Sequence, residues 1–279
     1  MSLPFESDLD RACGRDEQRN VRTVSLSELK FLCARAGLSL REGALRCVAH
    51  GVEPLPLLKC LYGVEAQGQA RLLDASVLLV GAGGLGGYVL ELLARFGVGR
   101  IDVADGDVFE ETNLNRQLLS SVDDVGRNKA RVGAERAARI APLVEVRPLE
   151  FFLDRTNLPL ALEGVDVVVD ALGGIAPRMA LHDAALERGI PVVAGAVAGW
   201  TAVVGSEEAG KRGISLMWAD AAAADAEHAL GSLAPAVSLA AALMAAEASR
   251  YLLHGGLALA GRMLHADLAS FSFEIYDLE

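Results

Sequence analysis

Five short apolar runs recur along the chain, at Ser76–Val80 (SVLLV), 101–104, 144–149, 165–170 (VDVVVD) and 190–194. They are too short for helices and too continuous for strands with one wet face, which is how parallel strands buried on both faces read. Between them lie stretches of helical spacing at 85–96, 127–140 and 178–188, followed by a longer one over 235–253. The alternation predicts an α/β fold: a doubly wound, Rossmann-like, mostly parallel sheet. After Ala196 the apolar runs become short and irregular. Residues 271–278 alternate apolar and polar side chains, so an antiparallel C-terminal extension is expected.

The first part of the chain has another pattern. Ser25 and Glu28 have the spacing at which a capping hydroxyl and a returning carboxylate satisfy each other's free backbone amides, and Gly37 supplies a stop. Ser39, Glu42 and Gly51 repeat the device. Two helices are expected, over Leu26–Ala36 and 40–50, with Leu29, Leu32, Leu45 and Val48 facing inward. Glu53-Pro54-Leu55-Pro56 reads as a linker. The expected organisation is a small helical N-terminal segment, residues 1–55, capping a larger domain, residues 56–279.

Charge narrows the function. With 26 Lys+Arg against 37 Asp+Glu the formal charge is −11, which argues against nonspecific binding to nucleic acid or an anionic membrane and against a DNA-binding role for the helix pair. Aromatics are only 5 % of residues, so Ala, Val and Leu must build the core. Two uncharged windows, 189–206 and 229–246, are broken by Pro191, Gly195, Gly199, Gly231 and Pro235, and read as buried strands and a buried helix. The stretch before Asn20 holds no apolar block, so no leader is expected. Cys13, Cys33, Cys47 and Cys60 form no CxxC pair and suit reduced thiols in a cytoplasm.

Candidate chemistry centres on Gly81-Ala82-Gly83-Gly84-Leu85-Gly86-Gly87, which lies between a predicted strand and a predicted helix. Glycines there permit positive φ and let backbone amides approach phosphate at the positive end of a helix. With Asp105 as a ribose acceptor, that much fits NAD or FAD as well as ATP. The residues from Asp105 onward depart from a dehydrogenase: Asp105-Gly106-Asp107, then Asn113-Leu114-Asn115-Arg116-Gln117, then Gly126-Arg127-Asn128-Lys129-Ala130. Arg116 offers a planar fork of donors and Lys129 a mobile point charge, both suited to a triphosphate. Asn113 can bond sugar or phosphate. His182, His228 and His265 lack metal-ligand spacing and read as surface or packing residues, and Trp200 either walls a pocket or packs.

In order and spacing these motifs resemble GxGGLG, DxDxV, NLNRQ and GxxKA of the ThiF/MoeB/HesA family, bacterial relatives of the ubiquitin-activating enzymes, from Leu72 to the C-terminus. The resemblance implies an adenylyltransferase that uses ATP, assisted by Mg²⁺, to activate the C-terminal glycine carboxylate of a ubiquitin-like or sulfur-carrier protein with a Gly-Gly tail. It assigns Arg116 and Lys129 to catalysis, and Gly81, Gly83, Gly84, Gly86, Asp105, Asp107, Asn113 and Asn115 to the nucleotide. It also implies a homodimer paired near the long helix, with Lys59 standing where relatives send an arginine into the partner's site. Three departures accompany it. Gly173 replaces the second Asp of a DxTDN pattern, which leaves Asp107 or Asp170 to serve Mg²⁺. No cysteine lies beyond Cys60, which excludes the relatives' CxxC structural zinc and a thiol acceptor in the usual place. The alternative is a degenerate nucleotide-binding homologue acting as a partner or scaffold.

Overall fold

A computed structural model describes residues 5–174, 176–218 and 226–278. The large sheet is built from β4 (Ser76–Val80), β5 (Arg100–Ala104), β6 (Glu145–Leu149), β7 (Val167–Asp170), β8 (Val192–Ala198), β9 (Thr201–Glu207), β10 (Arg262–Asp267) and β11 (Ser272–Asp277). These eight strands lie in the order β11-β10-β9-β8-β7-β4-β5-β6. The five from β8 to β6 run parallel, and β9, β10 and β11 continue antiparallel. The expected fold class is therefore present.

The apolar runs are continuous because alternate side chains enter two cores. Val77 and Leu79 of β4 pack with α5 (Gly84–Phe96), α6 (Lys129–Ile140) and α10 (Ala234–His254). Leu78 and Val80 pack with α7 (Leu158–Ala161) and α8 (Ala176–Leu186). α9 (Ala226–Leu230) leads into α10. By length and composition α10 could cross a membrane, yet Ala236, Val237, Ala240, Ala241 and Met244 are buried in the core. The chain after Ala196 is more regular than expected, since β8 and β9 form a hairpin of two seven-residue strands.

The N-terminal segment is mixed rather than helical. α1 (Phe5–Ala12), β1 (Gly14–Asp16), β2 (Val21–Val24), α2 (Leu26–Ala36), α3 (Leu40–Ala49) and β3 (Val52–Pro54) build a three-stranded sheet covered by helices. Both expected capping boxes form, and Gly37 closes α2 at φ 66°. The expected linker is instead β3, paired parallel to β2 and continued by a 3-10 turn over Leu55–Leu57. Edge position lets Pro54 sit there, because its missing N–H breaks no ladder.

A kinked helix, α4 (Leu61–Asp74), then leads into β4. The segment's core of Phe5, Leu9, Leu29, Cys33 and Cys47 includes Leu73 and Leu143, just before β4 and β6. Arg41 adds hydrogen bonds to the Leu73 and Asp74 carbonyls. The segment thus seats on the N-terminal ends of the parallel strands, the end opposite the glycine-rich turn.

Candidate nucleotide-binding site

Strand order reverses between β4 and β7, and the crevice above their C-terminal ends is where open α/β sheets bind ligands. A cleft of about 350 Å³ lies there. Its walls bring together Gly81, Gly83, Gly84, Asp105, Asp107, Arg116 and Lys129.

Gly81 has φ +93°, and a Cβ on it would sit 2.6 Å from the Ala171 carbonyl oxygen. Only glycine fits. α5 begins immediately afterwards with no side-chain cap on its first amides, which leaves them for an anion. Gly86 does not line the cleft. A Cβ there would lie 1.8 Å from the Gly81 oxygen, so its role is to let the helix close on the turn.

Asp105 braces the turn from the end of β5, accepting from the Ala82 amide at 2.7 Å and the Asp107 amide at 2.9 Å. Lys129, the first residue of α6, is 9 % exposed and donates to Asp107 Oδ2 at 2.6 Å. Burial raises the Asp107 carboxyl, but the Lys129 and Val108 donors outweigh it and hold the group below its usual range. Lys129 is therefore fixed rather than mobile. Arg116 uses Nη1 for the Thr112 carbonyl and Asn115 Oδ1, which leaves its Nη2 edge for the cleft.

Asn113 and Asn115 act on the loop instead of on the cleft wall. Asn113 is buried and exchanges cap bonds with Glu110, and its carbonyl accepts from the Arg116 and Gln117 amides. Asn115 is exposed and orients Arg116. Lys59 is exposed on a turn and does not line this chain's own cleft.

Asp170 does not stand free for a metal. It is fully buried, with Oδ1 on the Leu172 amide at 2.9 Å and Oδ2 shared by Arg178 at 3.2 Å and His182 at 3.0 Å. Burial raises this carboxyl, yet the two cations and the amide keep it below its usual range. Among the described residues no group of three or more His, Cys, Asp or Glu could hold a metal ion. Gly173 is exposed on the wall, and a Cβ added to it would meet nothing within 4 Å.

Several wall residues escaped the sequence reading. Gln117 is buried with its Oε1 lacking a partner among the described residues, and the NLNRQ motif already contained it. Phe152 and Leu153, just after β6, supply an apolar flank beside Asp105. Arg178 stacks on Trp218 at 4.2 Å to the ring centroid, whereas Trp200 is half exposed and off the wall. His182 is wholly buried between the Asp170 and Glu207 carboxyls, and His265 packs edge-on against Tyr276. The side chain of His228 lies outside the described residues.

Comparison with known proteins gives the family. The chain is 43 % identical over 134 residues to the SAMP-activating enzyme E1 of Haloferax volcanii, covering 48 % of this chain and 50 % of that protein. It is 30 % identical over 218 residues to the molybdopterin-synthase adenylyltransferase of Salmonella typhimurium, covering 76 % and 87 %. The chain spans about half the length of the first of these relatives. Among solved structures, E. coli MccB with ATP superposes at a TM-score of 0.65 with 22 % identity, covering 80 % of this chain and 70 % of that one, a likeness of fold. From residue 57 to residue 279 the match is to the ThiF family, and the chain belongs to it.

Proposed function

We propose that this protein is an ATP-dependent adenylyltransferase that activates the C-terminal glycine carboxylate of a ubiquitin-like or sulfur-carrier protein. The observation that carries the reading is the single cleft in which the uncapped N-terminus of α5, Asp105, Arg116 and Lys129 converge. The helix terminus and Arg116 suit the phosphates, Asp105 the ribose, and Phe152 with Leu153 a base. NAD would leave Arg116 and Lys129 without an evident task. The names of the relatives, a SAMP-activating E1 and a molybdopterin-synthase adenylyltransferase, support the carrier as substrate.

In the reaction, a carboxylate oxygen of the carrier attacks the α-phosphorus, the bond from that phosphorus to the bridging oxygen breaks, and pyrophosphate leaves. Arg116 and the helix amides stabilise charge developing on the phosphoryl and leaving groups. Lys129, held by Asp107, adds a fixed positive charge at the same wall. Mg²⁺ would neutralise phosphate charge when bound. Among the described residues the wall has no dedicated ligand set, so phosphate oxygens and water would supply most of the ion's ligands, with Asp107 as a candidate protein ligand.

The same reading includes a homodimer with α10 at or near the contact and Lys59 of one subunit directed to the other's cleft. The test of the function is exchange of labelled pyrophosphate into ATP. Exchange that appears only with a Gly-Gly-tailed carrier supports it, and exchange absent with every such carrier overturns it.

A further inference from the structure

Behind the cleft lies a line of four ionisable side chains that the proposed chemistry does not use. Arg178 of α8, His182 one turn later, Asp170 at the end of β7 and Glu207 at the end of β9 are each at most 4 % exposed. His182 Nε2 lies 3.0 Å from Asp170 Oδ2, and its Nδ1 lies 3.2 Å from Glu207 Oε2. A neutral imidazole carries one N–H, so it would turn a lone pair toward one of these carboxylates. Two donors require the charged ring.

Each end of the line is anchored to backbone. Glu207 Oε1 accepts the Gly213 amide at 3.1 Å and the Ser215 amide at 2.6 Å, which fixes the turn that carries Trp218. At the other end Arg178 donates to the carbonyls of Leu172, Gly174 and Gly195. These bonds hold residues 171–174, whose Ala171 carbonyl closes on Gly81 of the phosphate turn. The charged groups facing His182 are Asp170, Glu207 and, beyond Glu207, Arg212 at 3.8 Å from its Oε2. Arg178 bonds the same Oδ2 of Asp170 as the imidazole does, so its guanidinium is a neighbouring like charge that the two carboxylates must offset.

We propose that His182 is a positioning residue: held as an imidazolium between Asp170 and Glu207, it fixes Asp170 and through it Arg178, and so sets the 171–174 wall of the nucleotide cleft. Burial lowers the imidazole's proton affinity, but the two carboxylates more than reverse this and carry it to about 9. The wall then keeps its place through neutral pH and loosens as the ring loses its proton. The inference rests on the nucleotide reading only where ATP is the probe.

Two measurements on the full chain test it. Nitrogen NMR of histidine-labelled protein, assigned with His182→Gln, should show both ring nitrogens protonated at neutral pH and deprotonation only near pH 9. A ring with one proton at neutral pH overturns the proposal. In folded His182→Gln the amide resonances of residues 171–174 should move and ATP affinity, by calorimetry, should fall roughly three- to thirtyfold.

Wild-type affinity should decline through pH 9, while the variant's stays flat. Unmoved 171–174 amides, or a variant whose affinity shows the same alkaline decline as the wild type, overturn the proposal. If His182→Gln does not fold, Glu207→Gln should shift both the ring's deprotonation and the decline to lower pH, and an unshifted deprotonation counts against it. Absence of ATP binding by the wild type would refute the nucleotide reading alone, since the ring protonation and the amide shifts still decide this one.

Discussion

Replacing Gly173 by aspartate separates metal-assisted from metal-free binding at the cleft. The position is exposed, its φ is not in the left-handed range, and an added Cβ meets nothing within 4 Å. Gly173→Asp should therefore leave stability within about 0.5 kcal/mol of the parent. The new carboxylate would join Asp105 and Asp107 on a wall whose positive groups are Arg116, Lys129 and Arg178, the last already paired with Asp170.

At roughly 6 Å from a phosphate charge, its repulsion is about 0.7 kcal/mol in a water-like medium and about 2.8 kcal/mol at an effective dielectric near 20. With EDTA present, ATP should bind some 3- to 100-fold more weakly, on the order of that range. With Mg²⁺ the sign should reverse, because the aspartate then faces a cation, and pyrophosphate exchange should quicken. Calorimetry with and without Mg²⁺ reads both arms. A folded variant that binds ATP as the parent does in both conditions would show that residue 173 is remote from the phosphates and would refute the placement.

Arg116→Ala should weaken ATP binding by about 1 to 3 kcal/mol with little change in melting temperature, since its own bonds are to one carbonyl and one exposed amide. Calorimetry beside a thermal melt checks this, and an unchanged affinity counts against the site. Gly86→Ala should destabilise the protein by about 1 to 3 kcal/mol or more through overpacking against the Gly81 oxygen, although residue 86 does not line the cleft; an unchanged melt would contradict the packing role. Stability should be greatest between about pH 4.5 and 6.5, the ordinary values of Glu and His. His182, raised to about 9, contributes fully below its unfolded value and loses the contribution as pH rises through 9. Glu207, lowered to about 2, contributes above its unfolded value and loses it as pH falls toward 2. Melts across pH should show both flanks, and a midpoint that still climbs at pH 8 would be inconsistent with the buried pair. Sedimentation at micromolar concentration should give a dimer, and a monomer would count against the paired arrangement.

The parallel strands were legible because burial on both faces leaves unbroken apolar runs, and α5 because its glycine turn and apolar face adjoin. The N-terminal strands were not. β1 and β3 are three residues long, and Glu53-Pro54 has the composition of a linker, while its pairing to β2 depends on a partner about thirty residues earlier. α1 passed unseen because its inward face is only Phe5 and Leu9, set among charges.

At the site, the motifs located the cleft without separating the residues that face it from those that fold its loops. Asn113 and Gly86 belong to the second group, and their roles come from a buried cap bond and a close backbone approach that spacing does not record. Asp170 lost its metal role to Arg178 and His182, which helical periodicity places on one face of α8 but cannot point at a carboxylate of β7.

The most direct test of the adenylation claim is the intact mass of a Gly-Gly-tailed carrier incubated with this protein, ATP and Mg²⁺. The account predicts a carrier heavier by one AMP less water, an adduct that hydroxylamine discharges and that Arg116→Ala diminishes. A carrier set that stays unmodified while the protein demonstrably binds ATP would contradict it.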